Sequence, residues 1–416
     1  MTIRKEVFNL LLRVYSSGAY SNIALDTMLK KGDYSKQDKA FGSALFYGVL
    51  ERKISLDEII KRITKGKKLD SEVKTALQMG LYQIIYMNSV PEFSAVNESV
   101  SLLKNRGQRG FVNGVLREYL RSGKDLLKNA PKWVQYSCPE WLYNKWCGDY
   151  GEENAEHIAS GMLGAAPIVC RVNTTKTTEE ELIKILESES VKVKKTDTEN
   201  ALILENISVS ESEAYKNGLF HIEDISAQGA CFILSPKSGE TIFDLCAAPG
   251  GKSFTIAEMM GNRGKVLSFD LHEKRVGLIK SGAERLGLDI IKANVGNATE
   301  FNDKIGLADK VLCDVPCSGL GIIRRKPEIK YKNSEDFIRL PEIQLSILSN
   351  GARYVKDGGV LVYSTCTLSK AENEDVIDKF LGSHSDFTLT FSETTFPSHL
   401  RDGFYTAKLE RKNRLA

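Results

Sequence analysis

Two cysteines stand where a chain that does thiol chemistry needs them. Cys317 lies in Asp314-Val315-Pro316-Cys317-Ser318-Gly319 and Cys366 in Ser364-Thr365-Cys366-Thr367, each just after a short apolar run. The thiolate is the side-chain nucleophile best suited to attack near neutral pH. Asp314, three residues before Cys317, adds a carboxylate able to accept a hydrogen bond or a proton from a substrate. Taken singly, either cysteine reads as a small buried residue and Asp314 as a helix cap. The three together read as a site.

Loops can hold such groups only if a rigid frame brings them together. The apolar run Thr241–Leu245 is followed by a Gly-rich turn and then by a helical pattern, so strand, tight loop and helix are predicted. The glycines Gly250 and Gly251 let main chain approach a ligand, and the amides at the helix start face its polar groups. Gly251-Lys252-Ser253 matches the end of a phosphate loop, but that motif needs glycine at position 246, where this chain has Cys246. The remaining alternative is a glycine turn that only packs helix on strand. Asp270 ends the next strand, Val266–Asp270, about twenty residues after the glycines, where dinucleotide-binding folds hold a ribose hydroxyl pair. Further strands are predicted near 290, 310 and 360, then near 387 and 404, alternating with helices. Ligands in open parallel sheets sit beyond the carboxyl ends of the strands, so the glycine loop, the acidic strand ends and both thiols converge on one crevice.

The segments D-L-C-A-A-P-G-G-K (244–252), D-V-P-C-S-G (314–319) and S-T-C-T (364–367), in this order, resemble those of Sun-type (Fmu-type) RNA cytosine-5 methyltransferases. The resemblance extends to Asp402-Gly403-Phe404-Tyr405-Thr406-Ala407-Lys408-Leu409, similar to that family's closing strand. It implies S-adenosyl-L-methionine as cofactor, held by Cys246, Ala247, Ala248, Pro249, Gly250, Gly251, Lys252, Asp270, Asn297 and Asp314. It also implies Cys366 as the nucleophile that attacks C6 of cytosine, and Cys317 as the residue for proton removal and product release. Asp314 would bond the base and Lys252 would be an active-site lysine. Analogy to DNA cytosine methyltransferases, whose nucleophile follows a proline, would choose Cys317 instead. One departure stands out: the family commonly has Gly-Asp-Ala where this chain has Gly296-Asn297-Ala298, and an amide can still hydrogen-bond adenine. No metal cluster is evident.

The chain has 416 residues, 42% hydrophobic and 27% charged, which suits two or three domains. Eight cysteines without paired C-x-x-C spacing make neither a disulfide framework nor a zinc site. There is no long apolar run and no signal-peptide core, so a cytoplasmic protein is expected, and we expect a monomer. A net charge of +3 leaves the partner open. Residues 1–130 read as helices, and segments such as Val90-Pro91-Glu92-Phe93-Ser94-Ala95-Val96 and Phe111-Val112-Asn113-Gly114-Val115-Leu116 resemble a NusB-like RNA-binding domain. Its fusion to the methyltransferase implies 16S ribosomal RNA as partner, before or during small-subunit assembly. The basic runs 61–68 and 104–110 are candidate phosphate contacts on loops.

The expected fold is multidomain: an all-α NusB-like bundle (1–130), a helical connector (131–164), a small α/β RNA-binding module (165–235) and a C-terminal Rossmann-like class I methyltransferase α/β domain (236–416). In the module, Arg171 and Asn173 match the family's substrate-side motif, and Lys192 and Lys194 alternate onto one strand face, so all four are expected to contact RNA. A late reversed strand in the large sheet follows from the resemblance alone. A transfer RNA methyltransferase would share every catalytic motif. A non-catalytic RNA-binding assembly factor would be expected to lack Asp314, Cys317 or Cys366, and all three are present.

Overall fold

Apolar residues at helical spacing fold the first part of the chain into helices in the computed structural model, which describes residues 2–17, 21–122 and 125–413. The chain divides into two units. The first comprises residues 1–165 together with 323–332. Its core is built from Leu45, Phe46, Val49, Leu56, Leu77, Leu81, Val112 and Leu116, contributed by helices Lys36–Ile63, Ser71–Tyr86 and Arg106–Ser122. Residues 131–164, expected as a connector, pack in this unit as short helices, with Trp146 buried.

Each basic run lies partly in loop as expected, at 64–68 and 104–105, and partly in a helix that extends into it. Helix Lys36–Ile63 continues past Leu50 because no breaker interrupts 51–60 and Leu56, Ile59 and Ile60 keep the apolar stripe in the core, so Lys61 and Arg62 form its last turn. Helix Arg106–Ser122 starts before Phe111 because Asn105 Oδ1 accepts from the amides of Gly107 (2.8 Å) and Gln108 (3.2 Å), capping a segment with two glycines.

The stretch 323–332 belongs to the helical unit although the chain on either side of it belongs to the second unit. Lys330 is buried and donates to the carbonyls of Glu51 (2.8 Å) and Ser137 (2.9 Å), while the Tyr331 hydroxyl donates to Leu50 O (2.6 Å). Burial pushes the Lys330 ammonium down to about 8 and the Cys138 thiol up to about 12, so Cys138 is a packed, unreactive thiol.

The second unit holds 166–322 and 333–416. It opens with β1 (Ile168–Val172), helix Glu179–Ser188, β2 (Lys192–Lys195), β3 (Ala201–Glu205), helix Glu213–Lys216 and β4 (Phe220–Ile222). The sheet order β2-β3-β1-β4, antiparallel throughout, is that of a ferredoxin-like module. The large sheet follows, from β5 (Thr241–Asp244), β6 (Lys265–Asp270), β7 (Ile291–Val295), β8 (Ala308–Asp314), β9 (Val355–Thr365), β10 (Phe387–Thr395) and β11 (Phe404–Arg411). Its order is β10-β11-β9-β8-β5-β6-β7. Strands β5 to β9 pair in parallel, whereas β11 runs antiparallel between β9 and β10. The reversed strand implied by the resemblance is therefore present. The order switches direction between β5 and β8, which opens a crevice at their carboxyl ends.

Candidate active site

The loop after β5 is held by main chain. Leu245 N donates to Leu312 O (3.0 Å) and Ala247 N to Phe269 O (2.8 Å), tying the loop to the strands on either side. Gly250 has φ +119°, and a Cβ there would lie 2.3 Å from the Phe254 ring. A Cβ on Gly251 would meet Glu223 Oε1 at 3.0 Å. Ser253, which sequence alone likens to a phosphate-loop serine, is fully buried and donates to Asp244 Oδ2 at 2.7 Å, with Ser268 Oγ also 2.7 Å away. Its hydroxyl ties strands together and does not face a ligand, which disposes of the triphosphate reading.

Asp270 ends β6 with one oxygen accepting from His272 N (3.1 Å) and the other 3.2 Å from Arg275, whose other Nη donates to Ala248 O (2.8 Å). Arg275 thus joins the glycine loop to the acidic strand end, a role not apparent in the sequence. A cavity of about 320 Å³ lies alongside, walled by Leu245, Phe269 and Val295 with Gly296, Asn297 and Ala298. Asn297 lies on the cavity wall as expected, but its amide is engaged in its own turn. Its Nδ2 donates to Glu300 (2.7 Å) and its Oδ1 accepts from Thr299 N (3.1 Å) and Oγ1 (2.8 Å). Apolar walls, one spare amide N–H and a strand-end carboxylate with free lone pairs fit an adenosyl group. Cys246 has its thiol pushed well up by burial and packs against the apolar core, so it is not a nucleophile.

Asp244 offers a pH-dependent test. Burial raises its carboxyl to about 7, opposed by the Ser253 hydrogen bond and aided by the nearby Asp314 charge. A carboxyl raised in the fold stabilises the folded state fully below the ordinary aspartate value of about 3.9, and that contribution is lost as pH rises through about 7. Asp244→Asn should therefore gain stability relative to wild type as pH rises from about 4 to about 7, and the difference should level off above that. Urea unfolding at a series of pH values measures it. A pH-independent difference would mean that Asp244 is already charged in the fold.

Lys252, in the first turn of the helix after the glycines, bonds Asp314 Oδ2 at 2.8 Å. Burial alone would depress its ammonium, but the Asp314 and Glu223 carboxylates outweigh burial and hold it above its usual range. The two thiols come from loops after adjacent strands β8 and β9, and their sulfurs are 3.1 Å apart. Both are free and half-buried. The hydrogen bond to Cys366, then burial, then the charges of Cys366 and Glu372 push the Cys317 thiol well up. Close backbone packing sets these loops: Gly321 N donates to Cys366 O (3.0 Å), Gly403 N to Gly321 O (2.9 Å), and a Cβ on Gly321 would lie 2.0 Å from Gly403 O. Glu372, Ser318, Gln344 and Asn373 also hold these loops, a role the sequence did not reveal.

The expected RNA contacts divide. Arg171 and Asn173 are buried, which corrects their assignment as RNA ligands. Arg171 Nε bonds Glu258 at 2.6 Å and its Nη1 donates to Gln228 Oε1 (3.2 Å); Asn173 donates to Gly218 O and Leu286 O, both 2.9 Å. They join the ferredoxin-like module to helices that flank the large sheet. Lys192 and Lys194 are exposed on one strand face as expected, each paired with Glu205. Arg171→Met should leave Glu258 buried without its partner and destabilise the protein by about 3–5 kcal/mol. Denaturant unfolding checks this; weakened RNA binding at unchanged stability would restore the original assignment.

Comparison with known proteins agrees with this geometry. The model of the 16S rRNA methyltransferase RsmB/F family matches residues 231–410, that of the NusB family residues 1–121, and that of the RsmF/B-like ferredoxin-like domain residues 138–210. The probable ribosomal RNA small subunit methyltransferase B of Bacillus subtilis (strain 168) is 38% identical over 99% of this chain and 99% of its own length. The ribosomal RNA small subunit methyltransferase B of Proteus mirabilis (strain HI4320) is 33% identical over 91% of this chain and 92% of its own. The crystal structure of PH0851 has a TM-score of 0.78 at 27% identity and covers 98% of both chains. That of NSun6 from Pyrococcus horikoshii with SFG, at TM-score 0.60 and 21% identity, covers 66% of this chain and 99% of its own and shares the fold.

Fold, site and matches together define an S-adenosylmethionine-dependent ribosomal RNA methyltransferase. Within that class, the chain belongs to the ribosomal RNA small subunit methyltransferase B family.

Proposed function

We propose that this protein methylates C5 of a cytosine in 16S ribosomal RNA through a transient covalent bond between Cys366 and C6. The observation that carries the reading is the pair of free thiols 3.1 Å apart, set beside the Lys252–Asp314 pair at the carboxyl ends of neighbouring strands. S-adenosylmethionine, when bound by the glycine loop, Asp270 and the cavity beside Asn297, supplies an electrophilic methyl group.

Cytosine C5 is a poor nucleophile. Addition of the Cys366 thiolate to C6 forms a sulfur–carbon bond and moves the ring electron pair toward C5, which would take the methyl group as its bond to the cofactor's sulfonium sulfur breaks and S-adenosylhomocysteine is left. Asp314 accepts from the exocyclic amine and shares a proton with N3 as negative charge moves onto the ring, and Lys252 bonds the same carboxyl at 2.8 Å. Cys317 then takes the C5 proton. The electron pair left behind restores the C5–C6 double bond, the C6–sulfur bond breaks, and Cys366 leaves as thiolate. The hydrogen bond to Cys366 is the largest cause of the raised Cys317 thiol, so that cause is removed when the Cys366 sulfur is bonded to C6, which favours the Cys317 thiolate as the base at that step.

The reading extends to 16S RNA met before or during small-subunit assembly, in the cytoplasm, by a monomer. Bisulfite sequencing of ribosomal and transfer RNA from a strain lacking the gene is the test. One methylcytosine should disappear from 16S RNA and return with the wild-type gene. Loss in transfer RNA alone, or no loss, would refute it.

A further inference from the structure

Glu372 is a carboxylate that the chemistry above does not use. It is 2% exposed, and its carboxylate accepts from the neutral donors of Ser318 and Gln344. A buried carboxylate without a counter-charge costs several kcal/mol, and a neutral or apolar group would staple the same loops at less cost. What Glu372 bonds shows what the charge is for. Its Oε1 accepts from Ser318 Oγ (2.6 Å), and its Oε2 accepts from Ser318 N (2.9 Å) and Gln344 Nε2 (3.0 Å). Ser318 follows Cys317, and Gln344 also donates to the carbonyl of Pro316, which precedes it (2.9 Å).

The network continues to the other thiol. Ser318 Oγ is 2.6 Å from Thr367 Oγ1, next to Cys366. Asn373, adjacent to Glu372, accepts from Thr365 Oγ1 (2.6 Å) and donates to Thr367 O (3.0 Å). Residues on both sides of both cysteines are therefore pinned, and every acceptor contact of the Glu372 carboxylate serves the Cys317 side.

We propose that Glu372 is a positioning residue for the release step, setting the Cys317 loop so that its sulfur reaches the C5 proton while Cys366 is bonded to C6. The proposal rests on the covalent mechanism above. Glu372 touches neither base nor cofactor and acts through Ser318 and the Cys317 loop. The same charge helps keep the Cys317 thiol basic.

Glu372→Gln keeps the volume but turns an amide N–H toward one of the three donors now satisfied, and so loosens the Cys317 side selectively. The test uses the full chain, S-adenosylmethionine and a 16S RNA transcript, made once with cytidine and once with 5-fluorocytidine, whose C5 fluorine cannot be removed as a proton. With fluorinated RNA, Glu372→Gln should form the denaturation-resistant complex within about threefold of the wild-type rate, because attack by Cys366 is untouched. With ordinary RNA its turnover should fall roughly 10- to 100-fold while the same complex accumulates, since a small misplacement of the accepting sulfur is enough to slow proton removal. Equal losses of trapping and turnover, in step with a lowered melting temperature, would show a merely structural role and overturn the proposal. Wild-type release by the variant would also overturn it. If wild type itself forms no complex with fluorinated RNA, the covalent mechanism fails, and the proposal with it. Should Glu372→Gln not fold, Ser318→Ala, which removes the hydroxyl bridge but leaves the amide, carries the same expectation in milder form.

Discussion

Cys366→Ala forms no covalent RNA complex and no methylcytosine, whereas Cys317→Ala methylates and then stays bound to its product. This is the expected result of assigning attack to one thiol and proton removal to the other, and it separates chemistry from packing. Both thiols are half-buried and 3.1 Å apart, so a purely structural role would give two similar, stability-linked losses. In Cys366→Ala the sulfur that bonds C6 is gone, while the glycine loop and the Lys252–Asp314 pair stay in place, so the variant should fold and bind S-adenosylmethionine normally. In Cys317→Ala the proton at the methylated C5 has no acceptor, the C6–sulfur bond persists, and a denaturation-resistant complex builds up. Denaturing electrophoresis with cofactor and RNA distinguishes the two. A complex that builds up in Cys366→Ala and is missing in Cys317→Ala would exchange the roles.

Asp314→Asn should cost about 10²- to 10⁴-fold in turnover, the range for removing a positioned acid–base group. The amide keeps the shape but can neither share a proton with N3 of the base nor neutralise Lys252, which bonds Asp314 at 2.8 Å. With this partner lost, burial would depress the Lys252 ammonium, leaving Glu223 as its main compensation. Cofactor affinity should fall by only about 1.5–3 kcal/mol, the value of a hydrogen bond to a charged group. Single-turnover methyl transfer and calorimetry separate the two effects. Full turnover in Asp314→Asn would remove the carboxylate from the mechanism.

Much of the site could be read directly because it obeys local rules. A run of apolar residues, two glycines and a helical pattern specify a strand, a tight loop and a helix wherever they occur. Parallel strands carry their ligands at the carboxyl ends, so Asp270, Asp314, Cys317 and Cys366 had to lie near one crevice once their strands were recognised. That β8 and β9 are neighbours, which sets the sulfurs 3.1 Å apart, is a property of the sheet order alone.

Local sequence therefore determined which segments become strands, helices and ligand loops, and which residue types could do thiol chemistry. The tertiary structure decided which polar groups face solvent and which face protein. Arg171 and Asn173 sit on a short strand and just beyond it, where either face could have been wet, until Glu258 and Leu286, far along the chain, closed over them. Residues 106–110 of the second basic run became helix because Asn105 capped them, outweighing the intrinsic cost of their glycines. The stretch 323–332 joined the helical unit because Lys330 found carbonyls at Glu51 and Ser137. Glu372 is a carboxylate like any surface glutamate until the β8 and β9 loops meet around it. In each case a polar group was buried only because partners distant in sequence satisfied it, and such partners exist only once the chain has folded.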